Sequence, residues 1–213
     1  MHPRNPTADV FVVTADDVSL QARHRRPTGP SKGAVLLCHP HPAFGGHMDV
    51  WLLPAIAAAL SADGWASLRL NFRGVEGSAG TQTGGRLEHL DAEAGLAHLR
   101  AAHPGVPLAA VGWSFGAMIA LRLGTSIDTW VGVAPPTRGL DDAPLLGPLV
   151  PETLPPRRHV VVGAHDQFFP PETVHILRPD EVTVLPDTDH FFFDRDQDVA
   201  AAVLHALSPG TPR

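Results

Sequence analysis

The residues of this sequence best suited to chemistry are a serine and the two glycines around it. Ser114 is the centre of a G-W-S-F-G segment at 112–116, between an apolar run at 108–111 and a helix-compatible stretch at 117–123. A serine held in a tight strand-to-helix turn has a strained backbone, and side chains two residues to either side would collide there. Glycine at both positions removes the collision. The segment therefore predicts a nucleophile elbow, with the Ser114 hydroxyl at the N-terminus of a helix.

A serine hydroxyl is a poor nucleophile near neutral pH and needs a base that is itself oriented by an acid. Asp166 and His190 each follow directly after a predicted strand, as Ser114 does. We therefore expect Ser114 to act as nucleophile, His190 as general base and Asp166 as the orienting acid. Asp141 and Asp142 are alternative acids, because they follow the preceding predicted strand.

Structural roles are the alternative interpretation of these loop residues. The chain has 13 His and 22 acidic residues, so a histidine or an aspartate in any one loop carries little information. In that interpretation Asp166 caps a turn, and Asp187 or Asp189 binds nearby backbone.

The oxyanion of a tetrahedral intermediate needs preorganised hydrogen-bond donors. The backbone N–H of Phe115, directly after the predicted nucleophile, is the first candidate. The loop at 39–46 offers the second, and its prolines limit the choice. Because Pro40 and Pro42 carry no N–H, the N–H of His41 is the first available donor after the strand.

The same loop allows a second interpretation. His39, His41 and His47 superficially resemble a set of metal ligands. Prolines flank His41 and no carboxylate cluster accompanies the histidines, so we favour the oxyanion role and expect neither a metal nor a cofactor. His39 is then predicted to fix the loop through side-chain hydrogen bonds, and Ala43 is the next donor after His41.

Five segments together carry a family resemblance: the loop at 39–46, Asn71 to Gly74 with Gly77, Ser78 and Gly80, the segment at 112–116, Asp166 with Pro170 and Pro171, and Asp189 to Phe192. They resemble the small bacterial α/β hydrolases without a large lid, which are related to dienelactone-hydrolase and prolyl-oligopeptidase-like cores. The resemblance extends from about Val10 to Leu207. It implies the triad Ser114, Asp166 and His190, with an oxyanion hole from Phe115 and the His41 region. Dienelactone hydrolases use a cysteine nucleophile where this chain has Ser114, so their particular reaction is not implied.

Alternating strand and helix patterns predict how these residues are positioned. We expect an α/β fold with a mostly parallel central sheet, helices on both faces, an N-terminal antiparallel hairpin and a minimal cap. In such sheets the chemistry lies beyond the carboxyl ends of the strands. Leu87, Leu90, Ala94, Ala97 and Ala101 recur at helical spacing and predict the buried face of one helix. Strands are predicted at 10–13, 18–22, 34–38, 65–72, 108–111, 129–134, 159–163 and 181–185, and helices at 50–60, 87–101, 117–123, 171–177 and 196–207.

Apolar side chains near the predicted triad suggest what the site binds. The segment at 135–157 is short and rich in Pro and Leu, which favours a small flap over a lid domain. Phe44, Trp113, Phe168 and Phe191 are expected to line the substrate site, and aromatic walls suit a short acyl or aryl group. For Arg73, a contact with a carboxylate substrate is possible, but we favour a role in fixing its own loop.

Composition excludes several classes of function. The 213 residues are 44% hydrophobic and 18% charged, as in a soluble globular protein, and we expect one domain over 1–213. A net charge of -6 disfavours nucleic acids and anionic membranes as partners. Residues 1–9 lack the apolar core of a signal peptide, and a single cysteine, Cys38, excludes an internal disulfide framework. We therefore expect a cytoplasmic protein with an inert, buried thiol.

The function predicted from these residues is hydrolysis of small carboxylic esters by a serine hydrolase of the carboxylesterase type. The reaction would pass through an acyl-enzyme intermediate on a Ser-His-Asp triad. Thioesterase or amidase activity with the same triad is the alternative, as is a catalytically weak binding protein on the same fold.

Overall fold

The computed structural model describes residues 7–139 and 150–208. Within these ranges one sheet is surrounded by helices. The strands are β1 (Thr7–Val13), β2 (Ser19–Arg25), β3 (Gly33–Cys38), β4 (Trp65–Leu70), β5 (Leu108–Trp113), β6 (Thr129–Val133), β7 (Arg157–Gly163) and β8 (Glu181–Leu185). The α-helices are α1 (Leu52–Ala62), α2 (Glu88–Ala102), α3 (Phe115–Leu121) and α4 (Asp196–Leu207), and short 3-10 helices lie at Pro42–Phe44, Gly124–Ser126 and Pro171–Leu177.

The sheet has the strand order β1-β2-β4-β3-β5-β6-β7-β8. The pairs β1–β2 and β2–β4 are antiparallel, and every other neighbouring pair is parallel. The predicted α/β fold and its N-terminal hairpin are therefore confirmed. The helix predicted at 171–177 is a 3-10 helix, and Pro54 lies in the first turn of α1.

Two apolar layers form because the central strands are covered on both faces. Every residue of β3, β4, β5 and β6 is buried. Side chains alternate along a strand, so Leu36 and Leu68 pack on the side of α2 and α3, whereas Val35 and Leu37 pack on the side of α1 and α4. Continuous apolar runs are the sequence pattern that this burial requires.

The cap is small in the part of the chain that the structure describes. Residues 135–139 and 150–156, between β6 and β7, contain no helix or strand. The rest of the predicted flap lies outside the described residues, and so do the alternative acids Asp141 and Asp142. No described helix has both the length and the apolar character that crossing a bilayer requires.

The predicted buried face of α2 is wrong. Leu87, which was assigned to that face, precedes the helix and is 40% exposed. The buried residues of α2 are Glu88, Asp91, Ala92, Gly95, Leu96 and Leu99. Gly95 allows close packing on the sheet, because a Cβ there would lie 2.6 Å from the Leu70 side chain. The pattern of apolar residues predicted the wrong face because two carboxylates, those of Glu88 and Asp91, lie on the buried face of α2.

Both inward carboxylates organise the loop between β4 and α2. Asp91 accepts hydrogen bonds from the backbone N–H and the Nε of Arg73, and Arg73 also contacts Asp16. Glu88 accepts from the N–H groups of Thr83 and Gly85. The predicted structural role of Arg73 is therefore confirmed, since its guanidinium is committed to two carboxylates.

Candidate active site

Ser114 occupies the sharp turn between β5 and α3. Its backbone has φ 52 and ψ -118, a left-handed conformation that is strained for a residue with a side chain. A Cβ on Gly112 would lie 2.2 Å from the carbonyl oxygen of Gly116, and a Cβ on Gly116 would lie 2.3 Å from that of Cys38. Both flanking glycines are thus required, as the sequence pattern predicted.

The predicted triad residues lie in one hydrogen-bonded series. Asp166 Oδ2 is 2.9 Å from His190 Nδ1, and His190 Nε2 is 3.2 Å from Ser114 Oγ. Because a carboxylate can only accept, the Nδ1–H of His190 donates to Asp166. His190 Nε2 is then left as an acceptor for the Ser114 hydroxyl. Asp166 and His190 are both buried.

Asp166 also caps a turn. Its Oδ1 accepts hydrogen bonds from the backbone N–H groups of Phe168 and Phe169, at 2.9 and 2.8 Å. The turn cap and the contact with His190 use different oxygens of one carboxylate. The two interpretations of this residue are therefore compatible, and both contacts hold the carboxylate in place.

The imidazole of His190 is positioned by contacts on several sides. Its backbone N–H donates to Gln167 Oε1, and its carbonyl oxygen accepts from Trp113 Nε1, each at 3.3 Å. The ring lies 5.0 Å from the ring of Phe168 and 5.4 Å from that of Phe169, measured between centroids. Sequence reasoning missed the role of Gln167, which follows Asp166 directly.

Trp113, which was predicted to line the substrate site, is buried beneath it. It is 4% exposed and packs in the layer of α1 and α4, because side chains alternate along β5 and position 113 faces inward on that side. Its role is to support His190. The other predicted wall residues are accessible: Phe44 and Phe191 are exposed, and Phe168 is half-buried.

The candidate oxyanion donors belong to two loops in contact. The rings of His41 and Phe115 are 4.8 Å apart. Among the described residues, neither backbone N–H has a hydrogen-bond partner. The N–H of Ala43, the next donor along the loop, is bound to His41 Nδ1 at 3.1 Å. Of the loop donors considered, the N–H of His41 is thus the free one.

His39 holds this loop, as predicted. Its Nδ1–H donates to the carbonyl oxygen of Pro40 at 2.7 Å, and its Nε2 accepts from the N–H of Phe72 at 3.0 Å. Burial lowers the pKa of His39 to about 4, so the ring is neutral and can accept at Nε2. With both ring nitrogens bound, His39 has no lone pair left for a metal in this arrangement.

Cys38 ends the strand that leads into the loop and is fully buried. Burial raises the pKa of its thiol far above the ordinary range, which keeps it protonated. The predicted burial of this thiol is confirmed.

A family model and a known protein each match part of this chain. Residues 33–126, which include β3 to α3 and the turn at Ser114, match the family model described as the alpha/beta hydrolase fold. An uncharacterised protein of Rickettsia prowazekii is 34% identical over 121 residues, which are 55% of this chain and 51% of that protein. The match therefore spans about half the length of that relative.

Two solved structures are similar over nearly the whole chain. One is an α/β serine hydrolase without a lid from Xanthomonas campestris, with 27% identity, a TM-score of 0.82 and coverage of 97% of each chain. The other is an α/β serine hydrolase homologue from Coxiella burnetii, with 26% identity and a TM-score of 0.81, covering 94% of this chain and 97% of that one.

The strand order and these matches show an α/β-hydrolase fold. The chain is similar in structure to the lid-less α/β serine hydrolase of Xanthomonas campestris, in agreement with the resemblance seen in the sequence.

Proposed function

We propose that this protein is a serine hydrolase that cleaves carboxylic esters through an acyl-enzyme intermediate. Ser114 is the nucleophile, His190 the general base and Asp166 the orienting acid. The observation that carries the proposal is the unbroken series of contacts from Asp166 Oδ2 through both ring nitrogens of His190 to Ser114 Oγ, at 2.9 and 3.2 Å.

Acylation follows from this geometry. As Ser114 Oγ attacks the ester carbonyl carbon, its proton passes to His190 Nε2. The imidazolium that forms is stabilised by Asp166, whose carboxylate accepts from Nδ1–H and keeps the proton there. His190 then gives the Nε2 proton to the leaving alcohol oxygen, which departs as the carbon–oxygen bond breaks.

Deacylation repeats the steps with water. His190 Nε2 takes a proton from the water molecule as that molecule attacks the acyl carbon. It then returns the proton to Ser114 Oγ, which releases the carboxylic acid. The free N–H groups of Phe115 and His41 are proposed to stabilise the oxyanion in both halves of the reaction, and each such donor contributes about 10²–10³-fold to kcat.

The test removes the nucleophile. Ser114→Ala should lower kcat/KM for a short p-nitrophenyl ester by at least about 10⁴-fold, because no acyl-enzyme can form. The same substitution should abolish labelling by a fluorophosphonate probe, which the wild-type protein should carry on Ser114 alone. The matched control is Ser61→Ala in α1, which should leave both labelling and turnover as in the wild type.

Unchanged turnover in Ser114→Ala, or labelling of a different residue, would remove Ser114 from the mechanism. A wild-type protein that neither turns over esters, thioesters and amides nor takes up the probe would instead be a binding protein on this fold.

A further inference from the structure

Three aromatic side chains continue outward from the ring of His190. We call Phe191, Phe193 and Trp51 the aromatic row. The Phe191 ring is 5.7 Å from the His190 ring, and Phe193 stacks on Phe191 at 5.8 Å and 28°. Trp51 stacks on Phe193 at 4.8 Å and 17°. The row therefore begins at the candidate general base and ends at the N-terminus of α1.

The row presents apolar surface to solvent. Phe191, Phe193 and Trp51 are 37%, 62% and 43% exposed. Single exposed apolar residues are common, but a continuous set beside a reactive group indicates a binding surface. Trp51 is fixed from below by an edge contact with Trp113, at 5.1 Å.

The backbone of Phe192 is strained, and its conformation determines how the rings of Phe191 and Phe193 are oriented. Phe192 has φ 56, an unfavourable conformation for a bulky residue, and its side chain is fully buried. Turning Phe192 inward leaves Phe191 and Phe193 stacked together on the outer side. Strain of this kind persists where the surroundings enforce it and is common at ligand sites.

The chemistry of the triad decides which part of a substrate meets the row. The carbonyl oxygen must point to the N–H groups of Phe115 and His41. The leaving oxygen must lie within reach of His190 Nε2, because it takes its proton from there. The group attached to the leaving oxygen therefore extends over the His190 side of the site, where the row begins. The acyl group extends away from His190. Phe44 is an exposed ring in the loop after β3, 5.3 Å from the ring of His41.

We propose that the aromatic row binds the alcohol portion of the substrate, so that the enzyme selects esters of extended alkyl alcohols over esters of extended acids. This inference rests on the proposed function and adds a substrate class to it. A methylene that lies on an aromatic ring is removed from water on one side only. Its contribution to the binding free energy is therefore about half of that for complete burial.

The test compares two ester series with the purified full-length protein. The alcohol series consists of the acetates of ethanol, butanol, hexanol and octanol. The acid series consists of the ethyl esters of acetic, butanoic, hexanoic and octanoic acid. The parameter is kcat/KM, since it covers the steps up to departure of the alcohol. We expect kcat/KM to rise about twofold per methylene along the alcohol series and to stay nearly flat along the acid series.

Variants of the row locate the effect. In Phe193→Ser and, separately, in Trp51→Ser, the ratio of kcat/KM for octyl acetate to that for ethyl acetate should fall to near one. The matched control is Phe11→Ser, which removes an equally exposed ring on β1 and should keep the wild-type ratio. Fluorophosphonate labelling of Ser114 in each variant shows that the site is still assembled.

The outcomes separate the two proposals. Ester turnover with a wild-type ratio in both row variants overturns the inference and leaves the proposed function intact. A rise along the acid series instead of the alcohol series does the same. If the wild-type protein hydrolyses no ester and takes up no probe, the proposed function fails and this inference fails with it.

Discussion

A single carboxylate, that of Asp166, has two structural tasks that can be separated by substitution. One oxygen accepts from the backbone N–H groups of Phe168 and Phe169, and the other faces His190 Nδ1. An amide whose oxygen stays on the turn places its NH2 donor against the imidazole. Activity and stability should therefore respond differently to substitutions at this position.

Asp166→Asn is expected to lower kcat/KM for a p-nitrophenyl ester by about 10³–10⁴-fold, because the tautomer of His190 that can accept from Ser114 is no longer favoured. The melting temperature should change less than in Asp166→Ala, which also loses the turn cap. Both are measured by steady-state kinetics and thermal unfolding. Asp189→Asn is the control, because Asp189 contacts only the nearby N–H of Phe191 among the described hydrogen bonds. A loss in Asp189→Asn as large as that in Asp166→Asn would contradict the assignment of the acid.

Residue positions in loops were easier to predict than side-chain orientations. Ser114, Asp166 and His190 each follow a strand, so the sequence pattern alone placed them at one edge of the sheet. The direction of Trp113 depends on which face of β5 it occupies, and the inward turn of Phe192 depends on a positive φ. The type of a residue reveals neither property. The sequence therefore could not show which rings support His190 and which are exposed to solvent.

At the scale of elements, a buried ion pair explains why the buried face of α2 was predicted wrongly. The helix packs on the sheet through a face that includes Asp91, whose partner Arg73 lies in the preceding loop. Helical periodicity of apolar residues assumes that charged residues face water. The prediction failed here because the partner of Asp91 comes from another element and satisfies the charge inside the protein. The strands were predicted well, because burial on both faces leaves continuous apolar runs.

The contact between Asp91 and Arg73 is expected to stabilise the loop from β4 to α2. Asp91→Asn removes the negative charge beside a guanidinium that is 3% exposed, and we expect the free energy of unfolding to fall by about 3 kcal/mol. Urea denaturation measures the change. The exposed Glu93→Gln on the same helix is the control and should alter the free energy by less than about 0.5 kcal/mol. Equal effects of the two substitutions would show that Asp91 has no special structural role.

At the scale of the whole molecule, the order of strands explains why the candidate site assembles. β5, β7 and β8 carry Ser114, Asp166 and His190 at their carboxyl ends, and β3 lies directly beside β5. The loop after β3 therefore meets the turn at Ser114 and brings His41 against Phe115. Parallel strands and their connections were predictable from the alternation of patterns, whereas the order of the strands in the sheet was not. The proximity of the two candidate oxyanion donors depends on that order.

A cluster of three histidines joins the antiparallel edge of the sheet to α2. His24 of β2 is 2% exposed, and its Nε2 lies 3.0 Å from His103 Nε2 while its Nδ1 lies 3.1 Å from His98 Nε2. A neutral imidazole has one donor and one acceptor, which satisfies both contacts. Burial, with further contributions from His98, His103 and Arg26, lowers the pKa of His24 from 6.5 to about 4.

This cluster predicts that the protein loses stability in mild acid. Above pH 6.5 His24 is neutral in both the folded and the unfolded chain, so its contribution is complete. As the pH falls from 6.5 towards 4, the unfolded chain binds a proton that the folded protein excludes, and the free energy of unfolding decreases. The full loss from this residue is about 3 kcal/mol, and about 2 kcal/mol of it should be reached at pH 5.

Urea denaturation of the wild type and of His24→Gln, each at pH 7.5 and pH 5, isolates the effect, because the contributions of the other groups cancel in the comparison. The exposed His175→Gln should keep the wild-type difference between the two pH values, whereas an equally large difference in His24→Gln would show that the cluster does not control the response to acid.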